Sequence, residues 1–171
     1  MSEQTKPVRI MFVCSGNICR SPLAHRMLEK QAQERGVASL IEVESSGTDS
    51  YHVGDEADRR MRGTARNHGW TFSHRARQFQ TEDLKRYDLV FAMDRGHLRE
   101  ISRRGQSNDG WRARVHLFRE FDPDASGPEN TAGRDVPDPY YGGPQGFEEV
   151  YRIVERTCGV ILDALEAGTL P

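Results

Sequence analysis

The chain has 171 residues, of which 24 are Lys or Arg and 26 are Asp or Glu, so its formal net charge is −2. This length predicts a single domain over residues 1–171, with a core that needs neither metal nor disulfide to hold it together. The near-neutral charge argues against a protein that coats nucleic acid, and no apolar run in the sequence is long enough to predict a membrane span.

The amino terminus and the cysteines indicate the compartment. Residues 1–7 are polar, and the apolar run at 10–13 is too short for the core of a signal peptide. Three cysteines are an odd number, which does not suit the disulfide framework of a secreted domain. We therefore expect a cytoplasmic protein whose cysteines are reduced and available for chemistry.

The first half of the chain alternates between predicted strands and helices. Residues 8–13 form a short apolar run, typical of a strand that is buried on both faces. Ser21 and Pro22 predict the start of a helix, with Ser21 as its N-cap, and Gly36 predicts its end. The elements expected next are a strand at 40–44, a turn at 45–48 and a charge-rich helix at 56–68.

The second half continues this alternation. We expect a short helix at 81–85, a buried strand at 87–93, a helix from the capping residue Asp94 to about Arg103, and a strand at 114–118. Residues 122–141 are rich in Pro, Gly and Asp and predict a long loop, which in a compact domain is often functional. Apolar residues at steps of three or four between Phe147 and Leu165 predict the last helix, with Cys158 packed on its apolar face.

Strands that alternate with helices, with few hairpin signals, predict parallel βαβ units. The expected fold is therefore α/β, a single three-layer domain whose four-stranded parallel sheet carries helices on both faces. In such sheets, ligands bind beyond the carboxyl ends of the strands, often just after the first one. Residues 14–21 occupy that place here.

Residues 14–21 read Cys-Ser-Gly-Asn-Ile-Cys-Arg-Ser, a pattern that suits phosphate binding. Gly16 and Asn17 readily adopt left-handed backbone angles, so the loop can turn successive N–H groups inward to form an anion-binding nest. Arg20 supplies a planar fork for bidentate phosphate contact, and the helix that follows adds its positive N-terminal end.

Cys14 would lie directly under an anion bound in this loop. A helix N-terminus and a neighbouring cation favour the thiolate form of a cysteine, and Ser21 can hold that thiolate by a hydrogen bond. The alternative is an inert cysteine at the end of a buried strand, which is common. The combination with Gly-Asn, Arg and Ser-Pro at fixed spacing favours the reactive interpretation.

The sequence VCSGNICRSP resembles the phosphate-binding loop of the low-molecular-weight protein tyrosine phosphatases. Segments that resemble the same family follow in the same order at 45–48, 73–78, 92–94 and 138–141, the last reading Asp-Pro-Tyr-Tyr. The resemblance covers about residues 8–166. It implies the flavodoxin-like strand order 2-1-3-4 and a metal-independent protein tyrosine phosphatase that needs no cofactor.

The resemblance also implies a role for each residue of the site. Cys14 attacks the phosphoryl group, Arg20 stabilises the transition state, and Asp138 protonates the leaving oxygen and later activates water. Asp135 is the one nearby rival to Asp138, and the two tyrosines that follow favour Asp138. The residues that complete the phosphate-binding loop are Ser15, Gly16, Asn17, Ile18, Cys19 and Ser21.

Three tyrosines are similar in placement to the aromatic residues that line the family's cleft: Tyr51, Tyr140 and Tyr141. The alternative interpretation is that they are ordinary surface tyrosines. A slot with such walls accepts a phenyl ring and leaves phosphoserine too short to reach the cysteine. Ile18 points the same way, because the related protein-arginine phosphatases carry a threonine at that place. The expected partner is a phosphotyrosine-containing protein, with a tyrosine kinase as one candidate, and the enzyme is expected to be a monomer or a weak dimer.

Several supporting residues have ordinary alternatives. Ser45 and His74 match a family network that supports Asn17 and the loop, but each is also common in loops or at surfaces. Cys19 is expected either to form a reversible disulfide with Cys14 or to fill space beneath the loop. Asp94 is interpreted as a helix cap rather than a catalytic group, and the other five histidines receive no role.

Two other functions compete with a phosphatase. Thioredoxin-coupled arsenate reductases resemble this fold and loop, but they need further cysteines to relay a disulfide, and Cys158 is the only one beyond the loop. A catalytically silent phosphotyrosine-binding module would need neither the nucleophile Cys14 nor the acid Asp138.

Overall fold

A four-stranded parallel sheet organises the computed structural model, which describes residues 6–106, 110–127 and 132–171. Its strands are β1 (Val8–Cys14), β2 (Ile41–Gly47), β3 (Leu89–Ala92) and β4 (Arg114–Leu117), in the order β2-β1-β3-β4. The predicted parallel sheet and its order 2-1-3-4 are confirmed.

Helices cover both faces of the sheet. Those of the described residues are α1 (Arg20–Glu34), α2 (Arg59–Asn67), α3 (Asp83–Arg86), α4 (Arg95–Gly105) and α5 (Pro144–Ala167). Buried residues of α1, α2 and α5 pack with Ile10 and Phe12, whereas those of α3 and α4 pack with Met11 and Val13. The predicted three-layer architecture is therefore confirmed.

Strand β1 lies between β2 and β3 and is the centre of the core. Its side chains alternate between the two faces, and residues 10–13 are fully buried. Phe12 stacks on Phe91 of β3 with ring centroids 5.5 Å apart, and Phe118 packs edge-on against it at 5.6 Å. Burial on both faces explains why this strand is an apolar run rather than an alternating pattern.

The end of β2 corrects the predicted turn at 45–48. The chain forms a short 3-10 helix at Ala38–Leu40, and β2 then continues through Gly47, which pairs with Cys14. Gly47 lies so close to the loop after β1 that a Cβ placed on it would meet the Ser15 carbonyl oxygen at 2.5 Å. The small residues at 45–47 thus permit close approach of two backbones rather than a turn.

The start of α1 corrects the predicted cap. The helix begins at Arg20, and Ser21 lies within it with its hydroxyl oxygen 2.8 Å from the Cys14 sulfur. Gly36 does follow the end of α1, in the left-handed conformation at φ 73°. Asp94 caps α4 as predicted, and α2 begins later than predicted because Asp58 accepts a hydrogen bond from the Arg60 N–H. The last helix begins at Pro144, three residues before the predicted Phe147, and the remaining helix and strand boundaries lie within two residues of their predicted places.

The predicted loop at 122–141 is anchored at both described ends, while residues 128–131 lie outside the described residues. Asp122 is buried and accepts hydrogen bonds from Arg119 and Arg156. A 3-10 helix at Ala132–Arg134 precedes Val136, whose N–H donates to the Met93 carbonyl at 2.8 Å. The last part of this segment is therefore held against the carboxyl end of β3.

The long helix α5 packs along α1. Cys158 is fully buried, as predicted, with its sulfur 3.7 Å from the Ala24 carbonyl oxygen. Burial raises the pKa of the Cys158 thiol, so this cysteine is inert at neutral pH. None of the described helices is both long and apolar enough to cross a membrane.

Two leucines of α5 test the contribution of this packing. Leu162 is fully buried and Leu165 is only partly buried. Leu162→Ala should lower the free energy of unfolding by about 3–5 kcal/mol, because it leaves a cavity in a packed core. Leu165→Ala, the matched control, should lower it by less than half as much. Equal losses in urea unfolding would contradict the packing described here.

Candidate active site

The cleft at the carboxyl end of β1 has a volume of about 280 Å³. Cys14 ends β1 and is buried, and the loop after it leads directly into α1. The structure brings together in this cleft residues from three separate segments of the sequence: Cys14, Ser15, Gly16, Ile18, Cys19, Arg20, Asp49, Tyr51, His52, Asp138, Tyr140 and Tyr141. Asn17, Ser21, Ser45 and His74 lie behind this surface and support it.

Asn17 is fully buried and left-handed, with φ 58°. Its amide nitrogen donates to the hydroxyls of Ser21 and Ser45, at 2.9 and 3.0 Å. Its amide oxygen accepts from the His74 ring at 2.9 Å and from the Arg77 backbone N–H at 3.0 Å. All four hydrogen-bonding positions of the side chain are therefore used, and they hold a backbone conformation that L-residues otherwise avoid.

Ser21 connects this network to Cys14. Because the Asn17 amide donates to the Ser21 oxygen, the Ser21 hydroxyl proton is free to point elsewhere. Its acceptors are the Cys14 sulfur at 2.8 Å and the Ser46 carbonyl oxygen at 3.3 Å. A hydroxyl proton directed at the sulfur stabilises a thiolate, since a hydrogen bond to the charged form favours that form.

The backbone of the loop is equally suited to an anion. In the part of the chain that the structure describes, no N–H of residues 15–19 donates a hydrogen bond to a protein atom. These groups lie between the carboxyl end of β1 and the positive N-terminus of α1. Unpaired N–H groups at a helix N-terminus form a binding site for phosphate.

Arg20 is buried, and its position is fixed from two sides. One guanidinium nitrogen donates to Asp94 Oδ2 at 2.8 Å and to the Val136 carbonyl at 3.0 Å. The other lies 3.7 Å from Asp138 Oδ2. Burial alone would lower the pKa of Arg20, but the negative charges of Cys14 and Asp94 raise it, so the guanidinium stays charged.

The two candidate acids have different surroundings. Asp138 lines the cleft, is about half exposed, and accepts a hydrogen bond from the Tyr140 N–H at 3.0 Å. Asp135 pairs instead with Arg95, accepting from its backbone N–H at 3.0 Å and from Nε at 3.2 Å. Asp135 does not line the cleft. Asp138 is therefore the carboxylate available to a ligand.

The rim of the cleft is aromatic. Tyr51 and Tyr141 are 86% and 91% exposed, and Tyr140 is held by Arg60, which stacks on its ring and donates to its carbonyl oxygen at 2.9 Å. The rings of Tyr140 and Tyr141 meet edge to face, 4.9 Å apart. Such exposed rings offer apolar contact to a flat ligand without any change in the core.

Five residues of this site were not predicted from the sequence, one of which is Asp49 in the lining of the cleft. Asp94 caps α4 as predicted, but its other carboxylate oxygen also holds Arg20. Three histidines that received no role also lie here: His97 contacts Ser15, His25 contacts Ser45, and His52 packs over Gly16. For Asp94 and His97 there was a signal, because β3 neighbours β1 and residues after parallel strands meet at the same edge of the sheet.

The cysteines of the loop are both free thiols. Cys19 lines the same cleft as Cys14, and burial, with the nearby charges of Asp58 and Cys14, raises the pKa of the Cys19 thiol. The reversible Cys14–Cys19 disulfide stays a prediction. Within the described ranges, no group of three or more His, Cys, Asp or Glu side chains is placed to hold a metal ion.

Comparison with known proteins identifies relatives along nearly the whole chain. The model of the family described as low molecular weight phosphotyrosine protein phosphatase matches residues 9–169. A low molecular weight protein-tyrosine-phosphatase of Streptomyces coelicolor is 43% identical over 157 residues, which is 92% of this chain and 93% of that protein.

Solved structures are also similar to this chain. The crystal structure of a protein tyrosine phosphatase from Entamoeba histolytica, with Hepes in its active site, is 33% identical with a TM-score of 0.83. It covers 95% of this chain and 99% of its own. A Drosophila arginine phosphatase is 27% identical with a TM-score of 0.79, covering 90% of this chain and 95% of its own.

The left-handed backbone at Asn17 can be separated from its hydrogen bonds by two substitutions. Asn17→Gly and Asn17→Ala both remove the buried amide, but only alanine retains a Cβ that opposes positive φ. We expect Asn17→Ala to be less stable than Asn17→Gly by about 1–2 kcal/mol, and both to be less stable than wild type, in urea unfolding. Equal stability of the two variants would show that the loop relaxes out of this conformation.

The stability of the fold should depend on pH through His74. Burial, with the positive charges of His25 and Arg26, lowers the pKa of His74 to about 4, from about 6.5 in an unfolded chain. Between these values the unfolded state binds more protons, so stability falls as the pH drops from about 6.5 to about 4. His74→Gln, which keeps an N–H donor for Asn17, should lose less stability than wild type between pH 7 and pH 5. Identical losses in urea unfolding at the two pH values would contradict this.

Proposed function

The chain belongs to the low molecular weight phosphotyrosine protein phosphatase family, and we propose that it hydrolyses phosphotyrosine in proteins through a phosphocysteine formed on Cys14. As a member of this family it is a hydrolase that acts without metal ions. The observation that carries the proposal is that Cys14, Arg20 and Asp138 share one cleft, with unpaired loop N–H groups between β1 and α1.

In the first step, Cys14 attacks phosphorus in line with the leaving group. The Sγ–P bond forms while the P–O bond to the tyrosine breaks. Asp138, entering as the carboxylic acid, gives its proton to the departing oxygen. A phenol has an ordinary pKa near 10, so expelling it as phenolate at neutral pH is costly. Protonation by Asp138 lets it leave as the neutral phenol. Arg20 and the N–H groups of residues 15–19 bind the phosphoryl oxygens throughout.

In the second step, water hydrolyses the phosphocysteine. Asp138, now the carboxylate, takes a proton from water as the new P–O bond forms and the S–P bond breaks. Cys14 departs as a thiolate, which the Ser21 hydroxyl at 2.8 Å stabilises. Inorganic phosphate leaves, and Asp138 retains the proton for the next cycle. The cation needed to neutralise phosphate charge is Arg20, fixed by Asp94 at 2.8 Å.

The shape of the cleft favours phosphotyrosine. Tyr51, Tyr140 and Tyr141 form an aromatic rim above a buried cysteine, an arrangement that suits a long flat side chain better than the short phosphoserine. Ile18, a residue of the loop itself, lines the cleft and adds an apolar contact. Because the arginine phosphatase of Drosophila shares the fold, phosphoarginine is the substrate that a test must distinguish from phosphotyrosine.

We propose phosphotyrosine-containing proteins as substrates, a tyrosine kinase being one candidate, and the reducing cytoplasm as the compartment. Reducing conditions keep the three free cysteines available, and Cys14 must be reduced to react. Relay of a disulfide to the surface, as an arsenate reductase requires, is disfavoured because Cys158 is fully buried within the described core.

The test measures hydrolysis of p-nitrophenyl phosphate and of a phosphotyrosine peptide in the presence of EDTA. Cys14→Ser should abolish turnover, and Asp138→Asn should lower kcat by about 10²–10⁴-fold, the usual contribution of a positioned acid. Asp135→Asn is the matched control and should stay within about threefold of wild type. Activity that survives in Cys14→Ser would overturn the mechanism, and faster hydrolysis of a phosphoarginine peptide would overturn the substrate class.

A further inference from the structure

Ser15 and His97 form a pair at the edge of the cleft that the mechanism above does not use. The Ser15 hydroxyl oxygen lies 2.8 Å from His97 Nε2. Ser15 follows the nucleophile Cys14 and lines the cleft, whereas His97 is buried in the first turn of α4. Resting on the function proposed above, we propose that Ser15 is a catalytic hydrogen-bond donor to the phosphoryl group and that His97 is the residue that aims it.

The surroundings of His97 Nδ1 favour one tautomer of the ring. The Asp94 backbone N–H donates to Nδ1 at 3.2 Å, while Asp94 Oδ1, also 3.2 Å from Nδ1, accepts from the His97 backbone N–H at 3.0 Å. We therefore assign Nδ1 as the acceptor. A neutral ring then carries its proton on Nε2, the nitrogen that faces Ser15. Burial and the positive charge of Arg20 lower the pKa of His97 to about 4, so the ring is neutral at neutral pH.

This orientation determines where the Ser15 proton can go. Because His97 donates to the Ser15 oxygen, the hydroxyl proton must point away from the ring. Among the described residues, the Ser15 side chain has no hydrogen-bond partner other than His97. The cleft, which it shares with Cys14 and Arg20, is the remaining direction. A phosphoryl oxygen bound there is a negatively charged acceptor for this proton.

The chemistry uses the hydroxyl as a donor only, and its proton is never transferred. During attack by Cys14, charge rests on the phosphoryl oxygens, and a donor fixed before the reaction stabilises it without reorganisation. The start of α4 thus positions two hydrogen-bond donors that belong to the loop after β1. Asp94 positions the Arg20 guanidinium, and His97, three residues later, positions the Ser15 hydroxyl.

The first experiment compares Ser15→Ala and Ser15→Thr with wild type on p-nitrophenyl phosphate. Loss of a hydrogen bond to a charged acceptor should lower kcat by about tenfold or more in Ser15→Ala and weaken inhibition by vanadate by a similar factor. Ser15→Thr keeps the hydroxyl and should therefore be at least about threefold faster than Ser15→Ala. Ser102→Ala, an exposed serine of α4, is the control and should not differ from wild type.

The second experiment tests whether His97 acts through Ser15. His97→Gln retains an acceptor for the Asp94 N–H, as in an ordinary capping box, but loses the ring that faces Ser15. It should lower kcat in the wild-type background and change it by less than about twofold in the Ser15→Ala background. Thermal unfolding of each variant separates this coupling from a loss of folded protein.

Three results would overturn this inference. They are a kcat of Ser15→Ala within twofold of wild type, a Ser15→Thr variant as slow as Ser15→Ala, or fully additive effects of the two substitutions. Each leaves the proposed function intact, provided that wild type is active and Cys14→Ser is not. A wild-type protein that fails to hydrolyse an aryl phosphate would contradict the proposed function itself.

Discussion

The left-handed backbone at Asn17 is the constraint on which the site depends. A loop that turns its N–H groups toward an anion must leave the ordinary regions of backbone conformation, and this one does so at a residue that has a Cβ. What holds it there is tertiary, because the amide of Asn17 is bonded to the start of α1, the end of β2 and the segment that carries His74. The shape of the loop between β1 and α1 is thus a property of the whole fold.

The second constraint is that the buried guanidinium of Arg20 must have partners for its charge and its N–H groups. A desolvated guanidinium is costly unless it is paired, and here Asp94 and the Val136 carbonyl supply partners from two other segments. The same partners leave one edge of the guanidinium directed toward Asp138. The net charge of −2 therefore says little about the site, where the fixed guanidinium of Arg20 lies in the same cleft as Cys14 and 3.7 Å from Asp138.

The sequence predicted those features that depend on local pattern. The apolar run of β1 and the helical periodicity of α5 led to the correct elements, and strand–helix alternation led to the correct sheet. Ser21 and the segment 45–47 were misread for one physical reason: serine and glycine serve equally well in caps, turns and buried networks. Only the approach of β2 to β1 decides between these uses. His97 was missed likewise, since its partner Ser15 is 82 residues away in the sequence.

Gly47 has a consequence for how this protein can change over evolution. Two backbones meet there with no room for a side chain, and the N–H groups of Thr48 and Asp49 donate to the carbonyls of Cys14 and Ser15. The end of strand β2 therefore fixes the path of the loop backbone. A substitution at the exposed aromatic rim leaves this packing unchanged, whereas any side chain at position 47 would displace the backbone of the loop.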